Sequence, residues 1–558
     1  GAASRLLLER EGVADLPLRA VQVIEEFRDD AVGPGLQEAF RARGLPRRQV
    51  PGDPRWIEAQ IARADETART FHRFREEAGR LFPGLPQSTY WPGSYWSRPH
   101  HYGFRLSTLG DVVDEVLAPG YGYGAPKRGH GAETVRWSAN SGWSALHHGE
   151  SERPHLAIYG MGRPLKRPSK AAPDETAWRE TTWTALAHGA TGLAYWALPR
   201  SEMTEPLGRL HDEAKRLGPW LAALDRDPAR IAIVQSWTSR SESGAVPPAK
   251  ALDQCLKDTH AALELAFEDV DLVLEEHLAQ LSDETKALVI VSSPTLSRDA
   301  VEPLIAFLRG GGQVFVELGS AIRSQPGQRP LDLAQQSGRP DQIHSLPMGL
   351  RCRLARISRT RAAAQWTQLL EETGLSPRFR TAAIETASAL RGGDELAHVY
   401  GLNHGESEAA LDVVLGPEWA NRDWVELRSG DRERTDASGR LRSQGRLATG
   451  EAAIWASALR PADRLDVSVE PEGARAALRI QASDAAGEPV AEGYPLRVEV
   501  EPTGACAAAF ARSIVLSSGR ARVVLDGCGS GDLEAVAWRL SDPLTGHVVA
   551  RPEPAGSR

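Results

Sequence analysis

The sequence predicts a multidomain protein of the α/β plus β class. Three observations carry this. Residues 20 to about 200 alternate short apolar strands with helical stretches. From Arg230 a second strand-and-helix alternation begins. Beyond about residue 375 only strands and turns follow. Strands that alternate with helices are the pattern of parallel β/α units, and strands separated only by turns are the pattern of antiparallel sandwiches.

The chain is organised around Val21 to Phe27, an apolar run with β-branched residues that contains the adjacent carboxylates Glu25 and Glu26. Such a run suits a parallel strand covered on both faces. Successive strand residues point to opposite faces, so only one of Glu25 and Glu26 looks into a given site. Charge is costly to bury, so carboxylates at a strand end have either a chemical use or a salt-bridge partner such as Arg28.

The first segment continues with a short helix between Gly33 and Gly44. A long helix from about Asp53 to Leu81 follows, opened by Asp53 and Pro54 in the order a cap and a first helical position require. Ile57, Ile61, Ala64, Ala68, Phe71, Phe74 and Ala78 recur at threes and fours, the spacing of an amphipathic stripe. Strands are expected at Gln87 to Trp91, Val113 to Ala118, Pro154 to Gly160 and Gly192 to Leu198. Helices are expected at Thr134 to Leu146 and Asp174 to His188. Five strands are too few for a closed eight-stranded barrel. Two readings remain: an open sheet, or a chain that starts inside a barrel.

The second segment reads as a small doubly wound domain. Its strands are Ile231 to Gln235, Val270 to Leu274, Leu288 to Val291 and Gln313 to Val316, and its helices Lys250 to Phe267 and Arg298 to Leu308. Residues 325–345, rich in Gln, Pro, Gly and Ser, are expected to be loop. A helix at about Ala362 to Thr373 precedes two β-domains. One holds strands His398 to Leu402, Ala409 to Val414 and Trp424 to Leu427; the other holds Leu496 to Val500, Ala521 to Leu525 and Val536 to Leu540. The expected domains are 1–225, 226–345, 346–460 and 461–558. No internal repeat stands out.

Composition narrows the function classes. The chain is 41% hydrophobic and 25% charged, with a net charge of −8, so no basic field points to nucleic acid. No apolar run reaches the roughly 18 residues of a membrane span. The 15 Trp outnumber the 11 Phe, and Trp is a favoured surface for flat apolar ligand faces as well as a core residue. Trp91, Tyr95 and Trp96 follow one strand end, Tyr121 and Tyr123 another, and Trp196 a third. Each lies after a C-terminal strand end, where β/α barrels carry their chemistry. These aromatics read as a stacking surface or as loop packing.

His100 and His101 are adjacent, and adjacent imidazoles rarely share one ion, so no metal site and no cofactor is expected. Cys255, Cys352, Cys506 and Cys528 lack metal-type spacing. Cys506 and Cys528 fall in one β segment, as a disulfide or as two buried thiols. The first alternative favours a location outside the cytoplasm.

The order of domains resembles the family 42 glycoside hydrolases, the barrel-type β-galactosidases. Val21 to Phe27 with the following Phe40 helix resembles that family's fourth barrel strand, which ends in Asn-Glu. Trp178 to Trp196 resembles its last helix and eighth strand, and Leu288 to Val316 its amidotransferase-like middle domain. The resemblance implies strands four to eight of a barrel, a chain that begins inside that barrel, and a second sandwich of immunoglobulin type. It implies a carbohydrate substrate with β-linked sugars and Glu26 as general acid/base, with Glu25 in place of the Asn. It also implies a homo-oligomer formed through the middle domain.

The family's nucleophile is a Glu ending strand seven. The matching stretch, Ala157 to Gly162, holds no carboxylate. A glycosidase of the usual kind needs two carboxyl groups, roughly 5–5.5 Å apart for retention or roughly 6.5–9.5 Å for inversion. Asp114, Glu115, Glu150 and Glu152 lie near strand starts, at the wrong end. Tyr159 is an alternative nucleophile, since some glycosidases use Tyr. Two functions follow: a hydrolase, or a non-catalytic carbohydrate-binding or assembly protein that has lost the strand-seven nucleophile. An active amidotransferase needs a Cys at a strand-to-helix turn, and that turn here reads Val291-Ser292-Ser293-Pro294.

Overall fold

A computed structural model describes residues 21–24, 34–46, 53, 55–85, 87–90, 105–119, 155–160, 175–188, 190, 192–195, 201–222, 229–243, 248–267, 270–317, 322–324, 329–347, 350, 359–377, 380–381, 386–391, 396–403, 407–472, 475–491, 493–500, 510–529 and 536–551. The expected helix at Thr134 to Leu146 lies outside them.

In chain order the elements begin β1 (Val21–Ile24), α1 (Pro34–Ala42), α2 (Arg55–Leu81), β2 (Gln87–Tyr90), α3 (Leu109–Val112), β3 (Glu115–Pro119) and β4 (His155–Gly160). Then come α4 (Glu175–Ala187), β5 (Gly192–Tyr195) and α5 (Ser201–Ala222). Strands β1 to β5 form one parallel sheet in sequential order, as expected for successive right-handed β/α units. At the start of α2, Asp53 Oδ1 accepts the Arg55 N–H at 2.9 Å, so the expected cap is made. The helix buries Trp56, Ile57, Ala59, Ala64, Phe71 and Ala78. Phe40, Leu45, Ala59 and Ala62 join α1 to α2 in a small core.

The second parallel sheet holds β6 (Ile231–Gln235), β7 (Val270–Leu274), β8 (Ala287–Ile290), β9 (Gln313–Glu317) and β10 (Ile343–Leu346), in the order β10-β9-β8-β6-β7. Its helices are α6 (Trp237–Ser243), α7 (Pro248–Ala266), α8 (Arg298–Arg309) and α9 (Leu333–Ser337). This is the doubly wound sheet the sequence predicts. Leu288, Ile290, Leu304, Leu308 and Val314, all at most 1% exposed, fill the layer between α8 and the sheet.

One expectation needs correction. Residues 325–345 are not simply loop. Asp332 accepts the Gln335 N–H at 2.9 Å, α9 runs to Ser337, and Gly338 ends it at φ 71°. Then β10 pairs in parallel with β9 at the sheet edge. A four-residue edge strand reading Ile-His-Ser-Leu carries too little apolar periodicity to be seen locally. Main-chain pairing with β9 makes it a strand.

After α10 (Arg359–Glu372) the strands are antiparallel. Sheet β12-β13-β18-β15-β16 (Thr386–Arg391, Leu396–Asn403, Ala452–Ala458, Asp423–Glu426, Arg432–Arg434) accompanies β11-β14-β17 (Arg380–Thr381, Ala409–Val414, Arg440–Leu447). Val399, Leu411, Val413, Trp424, Leu441 and Trp455 interlock between them. The last sheets are β19-β20-β23 (Arg464–Glu472, Arg475–Ser483, Arg520–Gly529) and β22-β21-β24-β25 (Phe510–Leu516, Tyr494–Val500, Trp538–Ser541, Val548–Arg551).

By contact the chain forms two compact units. One comprises Gly1–Ala171, His188–Leu198 and Pro228–Ser376; the other comprises Ala172–Ala187, Pro199–Asp227 and Pro377–Arg558. Within the second, α5 is an element the sequence reading does not anticipate. It buries Leu207, Leu210, Leu217 and Trp220 despite holding Pro206, Gly208, Gly218 and Pro219.

Cys255, buried on α7, is disulfide-bonded to a partner outside the described side chains, and no described cysteine is free. The Cys506 side chain and the Cys528 side chain lie outside the described residues. Reduction is expected to cost roughly 2–5 kcal/mol. Melting with and without a reductant measures it, and non-reducing peptide mapping identifies the partner. Identical melting curves would contradict the expectation.

In β14, Asp412 receives the Arg440 guanidinium through two contacts of 2.5 Å, Nε to Oδ1 and Nη2 to Oδ2. Arg440 holds the Asp412 carboxyl below its ordinary value of 3.8. A depressed folded-state pKa contributes stability that is present above the unfolded value and is lost as pH falls through the folded one. The stability gap between wild type and Asp412→Asn is therefore expected to be widest near neutrality and to close as pH drops below 3.8. Acid titrations followed by circular dichroism test this, and a gap independent of pH would refute it.

Candidate active site

The site is defined by the C-terminal edge of the first parallel sheet. Strand pairing runs Ile24 beside Thr89, Thr89 beside Val116, and Val116 beside Leu156. Further toward the edge, Pro119 lies beside Tyr159, Tyr159 beside Ala194, and Gly160 beside Tyr195. The strands therefore end on one common edge, at Ile24, Tyr90, Pro119, Gly160 and Tyr195.

Glu25 and Glu26 follow β1 directly in the chain, Trp91 follows β2, Tyr121 and Tyr123 come shortly after β3, and Trp196 follows β5. Glu25, Glu26, Trp91, Tyr95, Trp96, Tyr121, Tyr123 and Trp196 themselves lie outside the described residues, as do His100 and His101. The Tyr159 backbone is in β4 between Pro119 and Ala194; its side chain is not described.

The opposite edge holds one pair of carboxylates, Asp114 and Glu115. Asp114 Oδ2 accepts the Gln87 N–H at 2.9 Å, and Asp114 Oδ1 receives Arg75 at 3.0 Å. The Asp114 N–H returns a bond to Gln87 O, and Gln87 Nε2 donates to Arg75 O. Asp114 thus braces α2 against the starts of β2 and β3. Glu115 opens β3 beside Ser88 and His155. Both lie at the N-terminal edge, away from the strand ends that precede the candidate residues. Glu150 and Glu152 lie outside the described residues. Strand β4 reads His-Leu-Ala-Ile-Tyr-Gly and supplies no carboxylate. Among the described residues no group of His, Cys, Asp and Glu is arranged to hold a metal ion, and no helix is long and apolar enough to cross a membrane.

In the doubly wound sheet, Ser292 stands at the turn that follows β8. Its backbone is left-handed at φ 52°, and its amide donates to Glu317 Oε2 at 3.3 Å. A larger polar centre nearby escaped the sequence reading. It gathers Ser236, Thr238, Ser239, Thr295 and Ser297 around Glu275, a carboxylate 1% exposed. These residues come from three separate stretches of the chain, and no local motif marks them.

Solved structures share the fold. A GH42 β-galactosidase from G. stearothermophilus, Gan42B, superposes with a TM-score of 0.61 at 14% identity, over 82% of this chain and 81% of that one. The chain has a GH42-like fold. The β-galactosidase of Bacillus circulans sp. alkalophilus gives 0.55 at 14% identity over 72% and 68%. The likeness extends to an α-L-fucosidase isoenzyme 2 from Paenibacillus thiaminolyticus, with 0.51 at 12% identity over 77% and 76%. No protein-family model matches the sequence, and no curated protein does. The GH42-like fold is thus carried by structure at an identity where sequence comparison is silent.

Proposed function

We propose that this is a glycoside hydrolase-like protein acting on β-linked sugars, with Glu26 as general acid/base. The observation that carries this reading is the sequential parallel sheet whose strands end together just before Glu25, Glu26, Trp91 and Trp196. In β/α barrels that edge bears the chemistry. On this reading β1 to β5 take the places of strands four to eight of a (β/α)8 barrel. The second sheet is an amidotransferase-like scaffold and a candidate oligomer contact, and the last domain is an immunoglobulin-like sandwich. The domains run 1–225, 226–345, 346–460 and 461–558. Trp91, Tyr95, Trp96, Tyr121, Tyr123 and Trp196 form stacking surfaces for sugar faces, with Tyr159 beside them.

A second reading has its own support. Strand β4 has no carboxylate where the resembling family has its nucleophile. A protein that binds sugars without cleaving them fits that gap. Assays with aryl β-glycosides, paired with calorimetric titration of β-linked oligosaccharides, separate the two. Turnover supports the hydrolase, and saturable binding without turnover supports the binding protein. Neither turnover nor binding would overturn both.

A further inference from the structure

The strand order of the doubly wound sheet reverses between β6 and β8. Open α/β sheets bind ligands at that reversal, outside the carboxyl ends of the strands. We propose that the chain fills this position with its own side chain: the Glu275 carboxylate is an internal ligand that seals the crevice, so the module takes no outside anion there and serves as a rigid scaffold. The cradle that holds it is built for a small carboxylate.

Glu275 follows β7, and its donors come from the segments after β6 and β8. Thr238 N–H and Thr238 Oγ1 both donate to Glu275 Oε1 at 2.7 Å. Ser297 N–H, at the start of α8, donates to Oε2 at 2.7 Å. Ser236 Oγ lies 3.0 Å from Oε2 and 2.6 Å from Thr295 O, and its single proton serves one of them. Beside the carboxylate the crevice is zipped directly. Ser239 Oγ donates to Thr295 O at 2.5 Å, and Thr295 N–H donates back to Ser239 Oγ at 2.8 Å. Ser239 N–H donates to Ser236 Oγ at 2.9 Å.

These bonds join three segments at the place a ligand would enter. Burial pushes the Glu275 carboxyl above its ordinary value, and the hydrogen bonds from Thr238, Ser297 and Ser236 offset only part of that rise. A carboxylate offers up to four acceptor sites on two oxygens, which suits donors arriving at both. A carboxamide does not: its NH2 would face a donor. Ser297 Oγ is buried beside the cradle without a hydrogen bond.

The test uses the full chain and does not depend on the hydrolase reading. Glu275→Ala should melt lower than wild type and regain stability in sodium formate, saturably and by roughly 2–4 °C, relative to chloride at equal ionic strength. Wild type should not respond. Glu275→Gln, which keeps the volume and loses two-sided acceptance, should melt lower than wild type and ignore formate. A formate response equal in wild type and Glu275→Ala is a general ion effect and overturns the proposal, as does no response in Glu275→Ala. If Glu275→Ala fails to fold, Glu275→Gln decides: melting together with wild type overturns the proposal, and a lower midpoint upholds it.

Discussion

Glu26→Gln is expected to lower hydrolysis of aryl β-glycosides by about 10²–10⁴-fold while leaving the folded protein intact. The isostere keeps the shape of the side chain and loses the proton. A general acid must be protonated near neutrality, so its pKa has to be raised by desolvation or by a neighbouring carboxylate. Glu25 is adjacent in sequence, and a strand sends neighbouring side chains to opposite faces. Glu25→Gln should therefore act on stability and leave turnover within a few-fold. Equal turnover in wild type and Glu26→Gln would remove Glu26 from the mechanism. The reverse pattern, with activity lost only in Glu25→Gln, would move the acid by one residue and keep the chemistry. In a protein that binds without cleaving, neither variant changes a turnover that is absent, and the titration of oligosaccharides becomes the readout.

Trp220→Ala is expected to destabilise the protein by about 3–5 kcal/mol. Trp220 lies on α5, is 3% exposed, and sends its indole N–H toward two carbonyls, Leu496 O at 3.1 Å and Ile514 O at 3.0 Å. Those two residues face each other across β21 and β22, so one side chain grips both strands. Trp220→Phe keeps most of the volume and loses the donor, and should cost about 1 kcal/mol. Chemical denaturation of the three proteins separates the terms. A Phe variant as unstable as the Ala variant would assign the effect to the hydrogen bonds. An Ala variant within about 1 kcal/mol of wild type would mean that the site collapses around the cavity.

Much of the fold was legible because it is encoded at short range. Val21 to Ile24, Ile231 to Gln235 and Ala287 to Ile290 are short, mainly apolar runs with β-branched residues, and all three are strands. Asp53 announced α2 through a cap made two residues away. The candidate site was legible only as a list of residues that follow strand ends. The parallel order of β1 to β5 then gives those ends one common edge.

Sequence alone determined the periodic elements, the alternation that makes both sheets parallel, and the absence of a carboxylate from β4. These depend on neighbours within a turn of helix or a few strand residues. The tertiary structure decided what depends on distant partners. Helix α5 looks broken by Pro206, Gly208, Gly218 and Pro219, yet Leu207, Leu210, Leu217 and Trp220 give it a buried stripe. Strand β10 exists because β9 offers it a free edge. Glu275 meets donors 37, 39 and 22 residues away. Such convergence has no local signature, because burial and hydrogen bonding across a sheet arise only after the chain has closed the loops between them.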